Sequence, residues 1–258
     1  MNADPTRRFS SRVADYVRFR PRYPEAVIDC LRAHLGLRPE HVVVDVGSGT
    51  GFFSELFLRH GHRVFGVEPN PDMRAAGERE LAAWPNFTSI AGAAEATTLD
   101  AAAADFVVAG QAFHWFRPAE TRREFQRILK PAGWVVLVWN DRRSKQAPFQ
   151  AAYETLIENF RTDTAADKRT LLSTDAGELA AFFAPAHYER HMVPGLAQDF
   201  DFAGLQGRLL SSSYAPLPGH PRHAAMLVEL RRIFDEHQSG GRVRFEHDTE
   251  IIYGRLGA

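Results

Sequence analysis

The chain has 258 residues, a formal net charge of -1, 45% hydrophobic and 24% charged residues. That is a globular balance with room for one large domain or one domain with a smaller insertion, and without the positive excess of a nucleic-acid-binding surface. A single cysteine, Cys30, rules out an internal disulfide and a cysteine-held metal cluster, and no apolar run approaches the length of about 18 that spans a membrane.

The N-terminal "MNADPTRRFSSRVADY" lacks the apolar segment of a secretory signal, so a cytoplasmic protein is expected. The run 42–46 (VVVDV) ahead of glycines reads as a buried parallel strand. Residues 52–60 follow with helical spacing and Gly61 stops them; 63–67 (RVFGV) is a second strand. Asn70 and Pro71 cap and open a helix through about residue 83. Residues 87–91 and 105–109 read as third and fourth strands, 118–130 as an amphipathic helix ended by Pro131 and Gly133, and 134–139 (WVVLVW) as a fifth strand. Alternation of this kind predicts a doubly wound α/β sheet with helices on both faces. Beyond residue 140 the pattern changes. Helices are expected at 146–161, 203–212 and 221–237, an edge strand at 187–193, and weak periodicity over 163–183. From Arg242 the chain alternates polar and apolar residues, as an antiparallel strand with one solvated face would.

The first strand runs into "DVGSGTG", where Asp45 precedes Gly47, Ser48, Gly49 and Gly51. Glycines permit positive φ and let a ligand approach the backbone. The second strand ends at Glu68, where a carboxylate can accept both ribose hydroxyls of an adenosine. The dinucleotide spacing G-x-G-x-x-G would need glycine at 52, which is Phe52. Asp45 would repel pyrophosphate and attract an ammonium, directly or through water. S-adenosylmethionine carries an ammonium and a sulfonium and no phosphate.

With these motifs, and with "FSSRVADYVRFRPRYP" at the N-terminus and "VVAGQAFHWF" at the fourth strand, the sequence resembles the class I S-adenosylmethionine-dependent methyltransferases. It is most similar to their small-molecule, trans-aconitate methyltransferase-like group. The resemblance implies a seven-stranded, mostly parallel Rossmann-like sheet of order 3-2-1-4-5-7-6, with strand 7 antiparallel and a helical cover inserted in the C-terminal part. It implies one methyltransferase domain over 1–258: an N-terminal helical cover at 1–40, a cofactor-binding core at 41–140, and a substrate cover with the last strands at 141–258. It places the loop glycines along the methionine and ribose of the cofactor, Glu68 on the ribose, and Pro69 and Met73 near the adenine, although Met73 reads equally well as helix core. Relatives often have G-D-A-E after the third strand; here "GAAE" puts Ala93 at the acidic position, which shifts adenine recognition to Ala94 and Glu95. Tyr16 and Arg20 become candidates for the methionine carboxylate, against a plain reading as a basic helix face.

Ligands of open α/β sheets bind beyond the carboxyl ends of the strands, which brings Gln111, His114 and Trp115 toward the methyl group and acceptor. Phe113 and Phe116 read as core. His114 is either a general base or a positioning residue, since an ionised carboxylate acceptor needs no base. The fourth-strand motif of base amino-methylation is absent, Cys30 precedes the first strand, and Asp141 lacks the companion oxygens of a metal site, so no metal is expected. Arg142 and Arg143 follow the fifth strand, facing an acidic acceptor or solvent. "SSSY" (Ser211 to Tyr214) faces pocket or solvent. The expected activity is methyl transfer to a small molecule, at an acid or hydroxyl. A non-catalytic cofactor-binding module and a nicotinamide-dependent oxidoreductase are the alternatives.

Overall fold

A computed structural model describes residues 12–142, 147–162 and 176–257. Arg143 and the weakly periodic stretch 163–175 lie outside the described residues. In chain order the elements are α1 (Val13–Phe19), α2 (Ala26–Leu35), β1 (Val42–Val46), α3 (Phe52–Leu58), β2 (Arg63–Val67), α4 (Pro71–Glu80), β3 (Phe87–Ile90) and β4 (Ala104–Gly110). After a 3-10 turn (Phe113–Trp115) come α5 (Pro118–Ile128), β5 (Leu129–Arg142), α6 (Pro148–Phe160), α7 (Ala176–Phe183), β6 (Tyr188–Phe200), α8 (Phe202–Leu210), α9 (His223–His237) and β7 (Val243–Gly254).

The strands form one seven-stranded sheet of order β3-β2-β1-β4-β5-β7-β6. β1 to β5 pair in parallel, and β7 lies antiparallel to both β5 and β6. Consecutive valines explain why both faces are covered. Val44, Val107, Leu137 and Ile252 point into a core with Phe125 of α5 and Phe182 of α7. Val43, Phe106, Val136 and Ile251 point the other way, against Ile28 of α2 and Phe57 of α3. A third cluster gathers Tyr153 of α6, Leu205 of α8 and Leu230 of α9 on the first half of β7 and the last residue of β6. Among the described residues no helix is long and apolar enough to cross a membrane.

Three of the differences from the sequence expectation have a physical reason in the pairing. Helix α5 stops at Ile128, not 130, because Leu129 turns extended (φ -73°, ψ 140°) and pairs with Ala104. Pro131 makes a helical Lys130 unfavourable, and a Cβ at Gly133 would lie 2.6 Å from Leu129 Cδ2, so the chain folds tightly there before the regular strand. The edge strand β6 runs on to Phe200, past Pro194. An edge strand tolerates a missing N–H, and Gly195 at φ 98° absorbs the register shift. Finally, β7 has one alternating half only: from Thr249 to Gly254 it is buried on both faces, since it lies inside the sheet between β5 and β6.

Candidate active site

The loop after β1 is built by its own backbone. Gly47 N and Ser48 N donate to Val67 O at 2.8 and 3.1 Å, and Gly51 N donates to Ser48 O at 2.8 Å. Gly47, Gly49 and Gly51 all have φ between 57° and 85°, a region that resists other residues. Their missing side chains serve different neighbours. A Cβ on Gly47 would meet Ala112 Cβ at 2.7 Å, and one on Gly51 would meet Leu81 Cδ1 at 2.6 Å, so these two seat the loop on the β4 turn and on α4. A Cβ on Gly49 would meet only the Met73 methyl, at 3.3 Å, besides the loop's own Gly47 O at 4.0 Å. The Ser48 hydroxyl turns back toward Gly66 of β2.

Two carboxylates sit at this end of the sheet. Asp45 is fully buried. Ser54 Oγ donates to its Oδ2 at 2.7 Å, while Oδ1 is buried without a hydrogen-bond partner. Burial raises the Asp45 acid to about 7, with the nearby Glu68 adding to the rise and the Ser54 bonds opposing it. Glu68 Oε2 accepts from Gly49 N at 2.9 Å, and its Oε1 accepts from Asn70 N at 2.8 Å. Burial raises this carboxyl too, against those two backbone bonds. The Asn70 side chain in turn caps α4, accepting from Asp72 N and Met73 N at 2.9 and 3.1 Å. Glu68 thus fixes the glycine loop to the start of α4, with Pro69 between the two anchor points. Met73 is 5% exposed and packed beside Gly49.

The tight turn after β3 closes by an Ala93–Ala96 bridge. Ala94 is buried in the core, and Glu95 Oε1 accepts from Arg117 N at 2.8 Å, ahead of α5. The Glu95 carboxylate is therefore committed to the α5 end on one oxygen.

At the end of β4, Gln111 adopts φ 56°, an uncommon conformation for a residue with a side chain. Its N donates to Val138 O at 2.8 Å and its Nε2 to Asn140 O at 3.0 Å. Asn140 accepts from Thr249 Oγ1 at 2.7 Å and donates to Arg22 O at 3.3 Å. Gln111 is therefore a strut that ties β4, β5 and the N-terminal segment together. Next on the 3-10 turn, His114 is 9% exposed with its ring 4.9 Å from Trp115. Phe113 packs in the core at 4.8 Å from Phe182, as its sequence reading has it.

The N-terminal segment lies across the same end. Tyr16 and Phe52 rings are 6.1 Å apart, Arg22 stacks over Phe52 at 4.4 Å, and Tyr23 lies 4.4 Å from Phe53. Gly110 is glycine because a Cβ would lie 2.7 Å from Tyr23 Cζ. Arg20 turns away from the loop: Nε donates to Ser211 Oγ at 3.0 Å, and Nη2 to Ser211 O and Ser212 Oγ at 3.1 Å.

Residues 44–137 match the family model for the methyltransferase domain. An uncharacterized methyltransferase-like protein of Schizosaccharomyces pombe is 31% identical over 156 residues, 60% of this chain and 59% of that protein. An uncharacterized methyltransferase of Mycobacterium bovis is 38% identical over 134 residues, 52% of each. The chain thus spans little more than half the length of these curated relatives. A candidate methyltransferase from an antibiotic biosynthesis pathway of Anabaena variabilis superposes with a TM-score of 0.61 at 20% identity, over 93% of this chain and 99% of that one, a likeness of fold.

The matched stretch holds Asp45 through His114. Tyr16, Arg20 and everything after Leu137 lie outside the match. Sequence reasoning did not single out Arg208, Tyr153, His247 or Thr249, all buried near the β5 end. For Arg208 a signal existed, because Gly204, Leu205, Arg208 and Leu209 share the apolar face of α8. Among the described residues one group offers three ligand atoms to an ion, Cys30, His34 and His191, within 4.8 Å of one another. Burial raises the Cys30 thiol to about 11, which opposes the thiolate a metal needs.

Proposed function

We propose that the chain is an S-adenosylmethionine-dependent methyltransferase acting on a small-molecule acceptor, at an acid or hydroxyl oxygen, in the cytoplasm and without nucleic acid or membrane. The observation that carries this reading is Asp45. A buried carboxylate oxygen without a partner, at the foot of a glycine loop, fits an ammonium group and not a phosphate. Glu68 fits the ribose: each carboxylate oxygen takes one backbone N–H, and a carboxylate has about four lone-pair positions. At Gly49 a Cβ would meet the Met73 methyl and otherwise only the loop's own Gly47 O, so this glycine is not spoken for by another core element. Asp45, Gly49, Glu68 and Met73 would therefore hold the cofactor, with Ala94 and the free edge of the Glu95 turn toward the adenine. When bound, the cofactor supplies a methyl group on a sulfonium.

The remaining work belongs to the chain. The N-terminal segment and Trp115 exclude water, Gln111 holds the ends of β4 and β5 in register, and His114 takes the proton from a hydroxyl acceptor. A binding module without turnover would share the loop and not need His114.

Calorimetry with S-adenosylmethionine and with NAD tests the cofactor; preferential NAD binding overturns the reading. Gly49→Val is expected to abolish cofactor binding and leave the fold largely intact, since the added side chain presses on the Met73 methyl at the proposed cofactor face and φ 57° is strained for valine. Normal binding by that variant would reduce the glycine to a turn residue.

Asp45 adds a pH dependence. Its folded acid, at about 7, lies above the ordinary value of about 3.9, so the cofactor-free fold favours the protonated form and loses that contribution as pH rises through 7. A cationic ligand favours the ionised form. Affinity is therefore expected to rise with pH, by up to about tenfold per unit below 7, and to level off above it. Asp45→Asn should bind weakly and without that slope; an identical slope in the variant would assign the proton elsewhere.

A further inference from the structure

We infer that the side chains gathered between the end of β5 and helix α8 form an oxyanion site, read by Arg208 with Arg20 and Arg142, and that the acceptor places a carboxylate or phosphate there. The site stands on the burial and placement of these side chains; that its anion belongs to a methyl acceptor rests on the proposed function.

Arg208 is 3% exposed, and its Nε and Nη1 are buried without a hydrogen-bond partner. A guanidinium stays charged in proteins, and a buried charge without a counter-ion is among the least favourable arrangements a fold can hold. The groups acting on it do not relieve this. Arg20 and Arg142 repel it, and among the described residues the hydroxyls of Tyr153 and Tyr214 oppose them. Burial and that repulsion lower its proton affinity to about 9.

Three elements converge to make this field. Arg20 comes from the N-terminal segment and is held by Ser211 and Ser212, just beyond α8. Arg142 ends β5, pairs with Glu154 and lies 5.7 Å from the Tyr153 ring. Arg208 comes from α8, where its own carbonyl accepts from Ser211 Oγ at 2.7 Å, so backbone and not guanidinium anchors the helix end. Across the ladder from Arg142 sits His247, fully buried and pushed down to about 3 by burial and then by the three arginines. It stays neutral and adds no counter-charge. Tyr153 Oη is buried without a partner as well, a second donor for an oxyanion.

The place suits an acceptor. Arg142 lies two residues beyond Asn140, whose carbonyl takes the Gln111 amide, so the cluster is one strand over from the His114 turn. An acceptor anchored by its anion at Arg208 presents another part of itself toward β4. This distinguishes the anchoring anion from the oxygen that receives the methyl group.

The test uses the full chain, with and without S-adenosylhomocysteine. Citrate, succinate and inorganic phosphate are titrated at constant ionic strength, with chloride and glycerol as controls. At least one oxyanion is expected to bind saturably and raise the melting temperature beyond chloride. A carboxylate-only or phosphate-only response identifies which group the site reads. Arg208→Met is expected to melt no lower than the wild type without anion, because an unpaired buried charge is removed. Its oxyanion affinity should fall by about 10- to 100-fold, the equivalent of one charge-assisted hydrogen bond. Arg208→Lys keeps the charge without the fork and should lose about tenfold, which serves if the methionine variant does not fold. The proposal fails if no oxyanion acts beyond chloride, or if either folded variant binds it as the wild type does. Oxyanion binding that depends on Arg208 in a protein that ignores S-adenosylhomocysteine would retain the site and overturn the methyltransferase reading alone.

Discussion

His114→Ala is expected to slow turnover of a hydroxyl acceptor by about 10²- to 10⁴-fold while leaving cofactor affinity close to that of the wild type. The residue sits on the short turn beyond β4, 9% exposed, three positions after the strained Gln111. The groups proposed to hold the cofactor, Asp45 of β1 with Gly49 and Glu68 just beyond β1 and β2, are set by their own backbone bonds, so their geometry does not depend on the imidazole. Loss of a base also removes the ascending limb of kcat against pH. With a carboxylate acceptor no proton leaves, and the same substitution should act through KM alone. Steady-state kinetics over a range of pH separate these outcomes. A variant unchanged in kcat and KM with a confirmed substrate would make His114 a packing residue.

Glu68→Ala should weaken cofactor binding by about 2–4 kcal/mol, since a charged acceptor for the ribose hydroxyls disappears. The substitution has a second effect: the N–H groups of Gly49 and Asn70 lose their acceptor, at about 1–3 kcal/mol of stability for each group left unpaired in a buried place. The loop should loosen and the melting temperature fall. Glu68→Gln keeps the shape and one acceptor oxygen, and is expected to fall between. Calorimetry and thermal melts read the two effects separately. An unchanged dissociation constant with a lowered melting temperature would confine Glu68 to bracing the loop.

Much of this was legible from local chemistry. Strand, glycines, helix, strand and acid follow one another within 42–68, and each signal is a matter of neighbouring residues. The strand order came through the family resemblance. What stayed hidden depends on residues far apart in the chain. Arg20 reads as a charged helix end until Ser211 and Ser212 are seen to hold it. Gln111 reads as a cofactor contact until its amide is found on Asn140. The end of α5 is hidden because Pro131 looks like the stop signal, whereas pairing of Leu129 with Ala104 ends the helix sooner. Arg208 sits on an apolar helix face, a mismatch visible in the sequence but without meaning until Arg142 and His247 are beside it.

The placement of β7 inside the sheet sets an order of assembly on the ribosome. β5 is complete at Arg142, yet the strand that covers its outer edge begins only at Val243. At about 5–20 residues per second, roughly 100 intervening residues take about 5–20 seconds to make. Through that interval the edge Val135–Trp139, a run of aliphatic and aromatic residues, has unpaired N–H and C=O groups, the arrangement most prone to adding a strand from another nascent chain. The parallel half, with its glycine loop, can form first. The cationic cluster cannot, because His247 and the packing beneath α8 arrive with the last strand to be synthesised. Chaperone dependence of newly made chains, and truncations that end before residue 243, should therefore affect the acceptor side long before the loop that follows β1.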